Sequence, residues 1–355
     1  LAITRAQREP ARAAKPKAPP PLRYPLPANG LALYASLSGG YDDNALQSGK
    51  ASASDESPLA PQTGSAFVAF LGELSHTWRF GRQTALTPYY SGDFLGLTAS
   101  SVRELSLQGH ELGVRGTYAP TTKSVVRVTA AGSYLLSGLD AIEPFAWELA
   151  LGARLELRHG ERFRTRFDLW ARPTFGLSGN DALDGGRYDA LSSERYRTEH
   201  FDVTVDARLR YLRAGTQHLA LDPSAVEVCA PDCTEYEIPG SYLAPSLGLE
   251  AGVEPVERMR FSAGARGELR RYVEPAGIES FSATERLRRD ARLRLRAGAE
   301  LELDEDGSFR ISADYTFTTN HSNIAYDAAD PEHAVDYDDR NFDQHVVELG
   351  LAVML

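Results

Sequence analysis

The chain has 355 residues, with 38 Lys plus Arg against 49 Asp plus Glu, a net charge of −11, 42% hydrophobic residues, and 16 Tyr, 14 Phe and 3 Trp. That aromatic content excludes an intrinsically disordered chain, and the lack of any apolar run of about 18 residues excludes a helical membrane protein. The acidic balance argues against a nucleic-acid partner.

Residues 1–29 form a separate zone that holds seven of the 20 prolines, with six basic residues against the single acid Glu9. This composition predicts an extended, basic tail, electrostatically complementary to the acidic remainder. The sequence starts at Leu1 without an apolar signal segment, so a leader removed from the chain or a start inside a longer precursor is expected.

From Gly30 onward the dominant signal has period two, the mark of half-buried strands. It is clearest in Phe145, Trp147, Leu149, Leu151, Ala153, Leu155 and Leu157, which alternate with Glu148, Arg154, Glu156 and Arg158. After a turn at His159-Gly160-Glu161, Phe163, Thr165, Phe167, Leu169 and Ala171 continue one face, and Arg164, Arg166, Asp168 and Arg172 the other. The template predicts 14 strands, near 30–41, 65–79, 85–97, 105–118, 124–137, 144–158, 162–176, 198–212, 217–224, 241–254, 258–273, 287–303, 308–319 and 344–355. Tight turns near 80–84, 119–123, 159–161, 213–216, 255–257 and 304–307 alternate with longer loops, among them 42–64, 177–197, 225–240, 274–286 and 320–343. An even strand count, short turns at one end and long loops at the other predict an all-β, antiparallel, up-and-down transmembrane barrel of the outer-membrane type, over 30–355.

Aromatic placement supplies a second sign, because such barrels carry an aromatic girdle at each membrane interface. On the apolar face Trp78, Tyr118, Phe163, Tyr211 and Phe309 fall beside the predicted short turns. Tyr90, Tyr134, Phe145, Phe175, Phe201 and Phe317 fall toward the long loops. His76 and His110 share that face and read as interfacial residues.

With these features and the closing strand His345–Leu355, the sequence resembles the Gram-negative outer-membrane β-barrel superfamily. Its first strand, followed by Gly40-Tyr41-Asp42-Asp43-Asn44, is similar to the barrel domains of surface lipoprotein assembly modifiers and related exporters. The resemblance implies a bacterial outer-membrane location with both termini in the periplasm, and surroundings of outer-membrane lipid and lipopolysaccharide. The seven prolines of the basic tail favour a second reading, an envelope role in which residues 1–29 contact a periplasmic partner.

A lipid-facing Arg at the bilayer midplane costs about 2–4 kcal/mol, so the alternation assigns the arginines to the interior. Arg154, Arg166, Arg266, Arg292 and Arg294 are the predicted positive side of a pore wall, with Glu148, Asp168, Asp314 and Glu348 opposing them. Arg208, Asp206 and Glu268 fall on the same face. Such a wall either selects anionic solutes by charge or serves as a network of cross-strand ion pairs. Fourteen strands lie nearer the 16–18 that enclose an aqueous channel than the eight that fill with side chains. The expected function is a porin-like channel for small polar or anionic solutes; the alternative is a scaffold or export component that works through its tail and loops.

Cys229 and Cys233, the only cysteines, are predicted to form a local disulfide in an oxidising compartment. The acidic run from Asp327 to Glu332 fits no defined calcium site, and Asp304-Glu305-Asp306-Gly307 reads as a hairpin turn. The chain carries no nucleophile elbow, zinc-protease pair, phosphate loop or dinucleotide fingerprint, so no enzyme activity, metal or cofactor is expected. His333, His345 and Asp343 have spacing that alone sets no catalytic geometry.

Overall fold

Alternating apolar and charged side chains demand a sheet with one face on each medium, and closure removes the unpaired edges. The computed structural model describes residues 26–44, 64–99, 106–137, 143–177, 184–213, 218–220, 235–237, 241–273, 289–322 and 342–355. The strands are β1 (Gly30–Asp42), β2 (Ser65–Phe80), β3 (Thr84–Leu97), β4 (Leu107–Thr121), β5 (Ser124–Ser137), β6 (Glu143–His159), β7 (Phe163–Gly176) and β8 (Gly185–Arg197). They continue as β9 (Phe201–Arg213), β10 (His218–Ala220), β11 (Glu235–Glu237), β12 (Tyr242–Val256), β13 (Met259–Tyr272), β14 (Arg289–Glu302), β15 (Phe309–Ser322) and β16 (Phe342–Met354). Fourteen of them close into an antiparallel barrel in chain order, and β10 with β11 forms a separate two-stranded sheet in the β9–β12 connection.

The seam joins β1 to β16, with Tyr34 opposite Met354 and Asp42 opposite Val346. At the turn end, Leu33 and Leu355 exchange backbone hydrogen bonds of 2.8 and 2.9 Å. At the loop end, Gln344 Nε2 donates to Asp42 Oδ2 at 2.8 Å and to the Asn44 carbonyl at 3.2 Å. Asn44 Nδ2 donates to the Asp343 carbonyl, and the His345 amide donates to Asp43 Oδ1. A Cβ on Gly40 would collide with the Val347 carbonyl and the Phe67 ring. The Gly40–Asn44 motif therefore closes the barrel: its glycine admits the seam's close approach and its polar residues bind β16.

The strand total agrees with the sequence pattern, but two members differ. The wall strand β8 lies inside the segment read as a 177–197 loop, and of the strand expected at 217–224 the described residues, His218–Ala220, belong to the small second sheet and not to the wall. The physical reason is the face of β8. Its register partners place Ser192 beside Ala207 and Glu194 beside Val205, polar residues on the otherwise apolar side, while Leu191 stands on the charged side opposite Asp168 and Arg208. Inserting β8 reverses the direction of the next strand. Phe201 consequently lies by the β8–β9 turn near Phe163 and Tyr196, and Tyr211 lies toward the loops beside Tyr188, so these two aromatics exchange their expected bands. The tight turn expected at 213–216 is likewise replaced by the turn between β8 and β9.

The other short turns fall as the sequence predicts. In the β14–β15 turn Asp304 Oδ1 accepts the Phe309 amide, and Gly307 takes a φ of +67°, confirming a hairpin. Cys229, Cys233, His333 and the acidic run 327–332 lie outside the described residues.

Candidate functional site

The charged face is the concave one. Arg115 on β4 reaches Glu73 on β2 in a two-pronged contact of 2.7 and 2.8 Å, across the whole width of β3. Arg260 and Arg266 on β13 similarly reach over β12 to Asp202 (2.6 Å) and Asp206 (2.8 Å) on β9. Strands two apart are separated by about 9–10 Å, so such side chains meet only where the sheet curls toward them. The opposite face exposes Leu31, Leu112, Leu169, Leu247 and Leu349, each more than 60% accessible. His76 packs on Trp78 there, and Tyr90 shares a 2.7 Å hydrogen bond with His110.

Along the inner wall, arginines gather on shared carboxylates. Arg154 Nε and Arg166 Nε approach the two oxygens of Asp168 at 2.7 and 2.8 Å, and Asp168 is only 4% exposed. These three expected pore residues thus form one node on the β6–β7 hairpin rather than opposite sides of a passage. Arg172 Nη1 donates to Glu148 Oε1 at 2.9 Å, and Arg296 Nη2 donates to Asp314 Oδ1 at 2.6 Å. Glu348 stands directly across from Asp314 in the β15–β16 register. Arg266, Arg292 and Arg294 share the β13–β14 wall, with Arg266 opposite Arg294 and Glu268 opposite Arg292.

Sequence reasoning passed over Tyr89, Arg115, Trp170, Arg187, Asp189 and Arg195 among the members of this wall. Arg187 and Arg210 flank Asp189 at 3.1 and 2.9 Å, and Arg195 joins Arg260 on Asp202. Arg187, Asp189 and Arg195 belong to β8; their own period-two spacing was the available signal, masked by the polar outer face. Trp170 lies over Gly152, where a Cβ would meet its ring, and Arg172 sits over the Trp170 ring at 5.2 Å. Tyr89 carries Arg115 on its ring at 3.7 Å and donates its hydroxyl to Glu111 at 2.8 Å. Among the described residues no group of three or more His, Cys, Asp or Glu is arranged to hold a metal ion.

No known protein family matches the sequence, and no curated protein does. Solved barrels are similar in shape. A loop-deletion form of OmpT, an outer membrane protein of Vibrio cholerae, aligns over 92% of this chain and 99% of its own at 7% identity and TM-score 0.46. The anion-selective porin from Comamonas acidovorans aligns over 92% and 98% at 8% identity and TM-score 0.43. The outer membrane channel DcaP of Acinetobacter baumannii aligns over 92% and 98% at 9% identity and TM-score 0.44. The fold assignment itself rests on the strand pairing described above.

Proposed function

We propose that this chain is an outer-membrane channel that passes small polar or anionic solutes through its charged lumen. The observation that carries the reading is the division of one closed 14-stranded wall into an apolar convex face and a concave face crowded with arginine–carboxylate nodes. A wall of that kind hydrates its interior, and fixed charges on it select solutes. Arg266, Arg292 and Arg294 supply the positive side, while the Arg154–Asp168–Arg166 node, Glu148, Asp314 and Glu348 divide the path into alternating potentials. The exposed leucines and flanking aromatics suit lipid and lipopolysaccharide, with the short turns and both termini on the periplasmic side. Liposome swelling provides the test: vesicles holding the protein should admit anionic sugars faster than cationic sugars of equal size. Vesicles that admit neither, with the barrel verifiably inserted, contradict the channel.

One observation favours the scaffold reading as a second possibility. Arg79, at the turn end of β2, donates from Nε to the Pro27 carbonyl at 2.6 Å and from Nη2 to the Leu26 carbonyl at 3.0 Å. This clamp fixes Leu26 and Pro27 at the turn-side rim. A bead-bound peptide of residues 1–29 that retains a periplasmic protein, while the tailless barrel does not, favours the scaffold. A tail deletion that raises conductance instead assigns the tail to plugging the mouth.

A further inference from the structure

Along one arc of the inner wall the guanidinium groups outnumber the carboxylates that serve them. Arg208 on β9, Ser246 on β12, Glu268 on β13 and Arg292 on β14 stand side by side in register. The adjoining row is Asp206, Gly248, Arg266 and Arg294. Arg270 Nε lies 2.6 Å from Glu268, and Arg266 Nη2 lies 2.8 Å from Asp206 Oδ2, while Asp206 Oδ1 is buried without a partner and leaves one acceptor on the arc. Arg208 and Arg294 have no hydrogen bond or ion pair among the described residues. Arg294 Nε, Arg266 Nη1 and the Ser246 hydroxyl are buried without a partner, and Ser246 is only 6% exposed. Arg208 lies close enough to feel the charge of Arg266 and Arg210 as well as of Asp189 and Asp206, and Arg294 that of Glu268 first and then of Arg266, Arg270 and Arg210, so cations match the acids around Arg208 and outnumber them around Arg294.

Native walls leave few buried donors without an acceptor, and like charges this near repel unless an anion lies between them. Gly248 keeps the floor clear, since a Cβ there would press on Arg266 and Asp206. The donors come from four adjacent strands, β9, β12, β13 and β14, a wider span than the two oxygens on one edge of a carboxylate serve. A tetrahedral oxyanion has oxygens for each, and guanidinium forks match it.

We propose that Arg208, Ser246, Arg266 and Arg294 form a binding subsite for a phosphate group in the lumen. The subsite specifies the solute class of the channel proposed above and rests on that reading for access. Its occupant is inorganic phosphate or a small phosphate monoester, held by charge-assisted hydrogen bonds and released along the wall.

The test is block of chloride current through the full-length protein in a planar bilayer, with inorganic phosphate in one arm and glycerol 3-phosphate in the other. Either anion should reduce current in the wild type at concentrations where equal ionic strength of chloride does not. The double variant Arg208→Gln/Arg294→Gln should need about tenfold more for half-block, equivalent to about 1.4 kcal/mol, and Ser246→Ala about threefold more. Block by only one of the two anions identifies the source of the phosphate group. Equal half-block in wild type and both variants, or none in the wild type, overturns the subsite. A barrel that conducts nothing overturns the channel instead, and retention of radiolabelled phosphate by micellar protein then decides the subsite: tenfold weaker retention in the double variant supports it, and no difference overturns it.

Discussion

Gly248 lies beneath the bridge from Arg266 to Asp206, and its lack of a side chain is what lets β13 and β9 meet over β12. Gly248→Ala should force that bridge apart and destabilise the barrel by about 1–3 kcal/mol, read as a lower urea midpoint. Asp168 is the other informative single residue, because both Arg154 and Arg166 pair with it. Asp168→Asn should cost about 1–3 kcal/mol and remove one negative charge from beside two cations, moving the reversal potential under a salt gradient toward anion preference. An unchanged reversal potential would mean that the node lies off the conduction path. At this scale the sequence made the side of each residue legible, through strict alternation, but not its partner. The Arg154–Asp168 pairing follows from hairpin register, whereas Arg115–Glu73 spans two strands and depends on the curl of the sheet.

Among the elements, β8 separates the sequence reading from the structure. Its outer face presents Ser192 and Glu194, and Thr165 on β7 donates to the Glu194 carboxylate at 2.8 Å, which satisfies a polar group where lipid-facing patterns expect a hydrocarbon. Alternation in hydrophobicity alone cannot find such a strand; alternation of charge along Arg187, Asp189 and Arg195 was the remaining clue. Placing β8 in the wall puts residue 199 in a turn-side connection and residue 184 on the loop side. In a Cys229→Ser/Cys233→Ser background, Asp184→Cys should react with an impermeant maleimide on intact cells, and Glu199→Cys only after the outer membrane is permeabilised. Reversed labelling would restore the 177–197 segment to a loop. The seam allows a second check on an element pair. Gln344, 6% exposed, ties β16 to Asp42 and Asn44, so Gln344→Leu leaves buried acceptors unpaired and should cost about 1–3 kcal/mol, with earlier thermal loss of the compact electrophoretic form.

For the whole molecule, the barrel class was legible because its two faces meet different media and every described wall strand except β8 records that difference. The strand total agreed because one missed strand and one misplaced strand offset each other, while the direction of β9 depended on getting β8 right. The balance of charge within the lumen was not legible, since net charge describes the chain, whereas selectivity follows from which arginines remain after pairing. The central claim is that this barrel conducts and that its fixed charges select. Single-channel recording of the purified protein in a planar bilayer, with the reversal potential measured under a salt gradient before and after Arg266→Gln and Arg292→Gln, tests it most directly. Stable open steps, with an anion preference that falls on neutralisation, are the predicted result. A correctly inserted barrel that stays silent with and without its tail, or a selectivity indifferent to both substitutions, would contradict it.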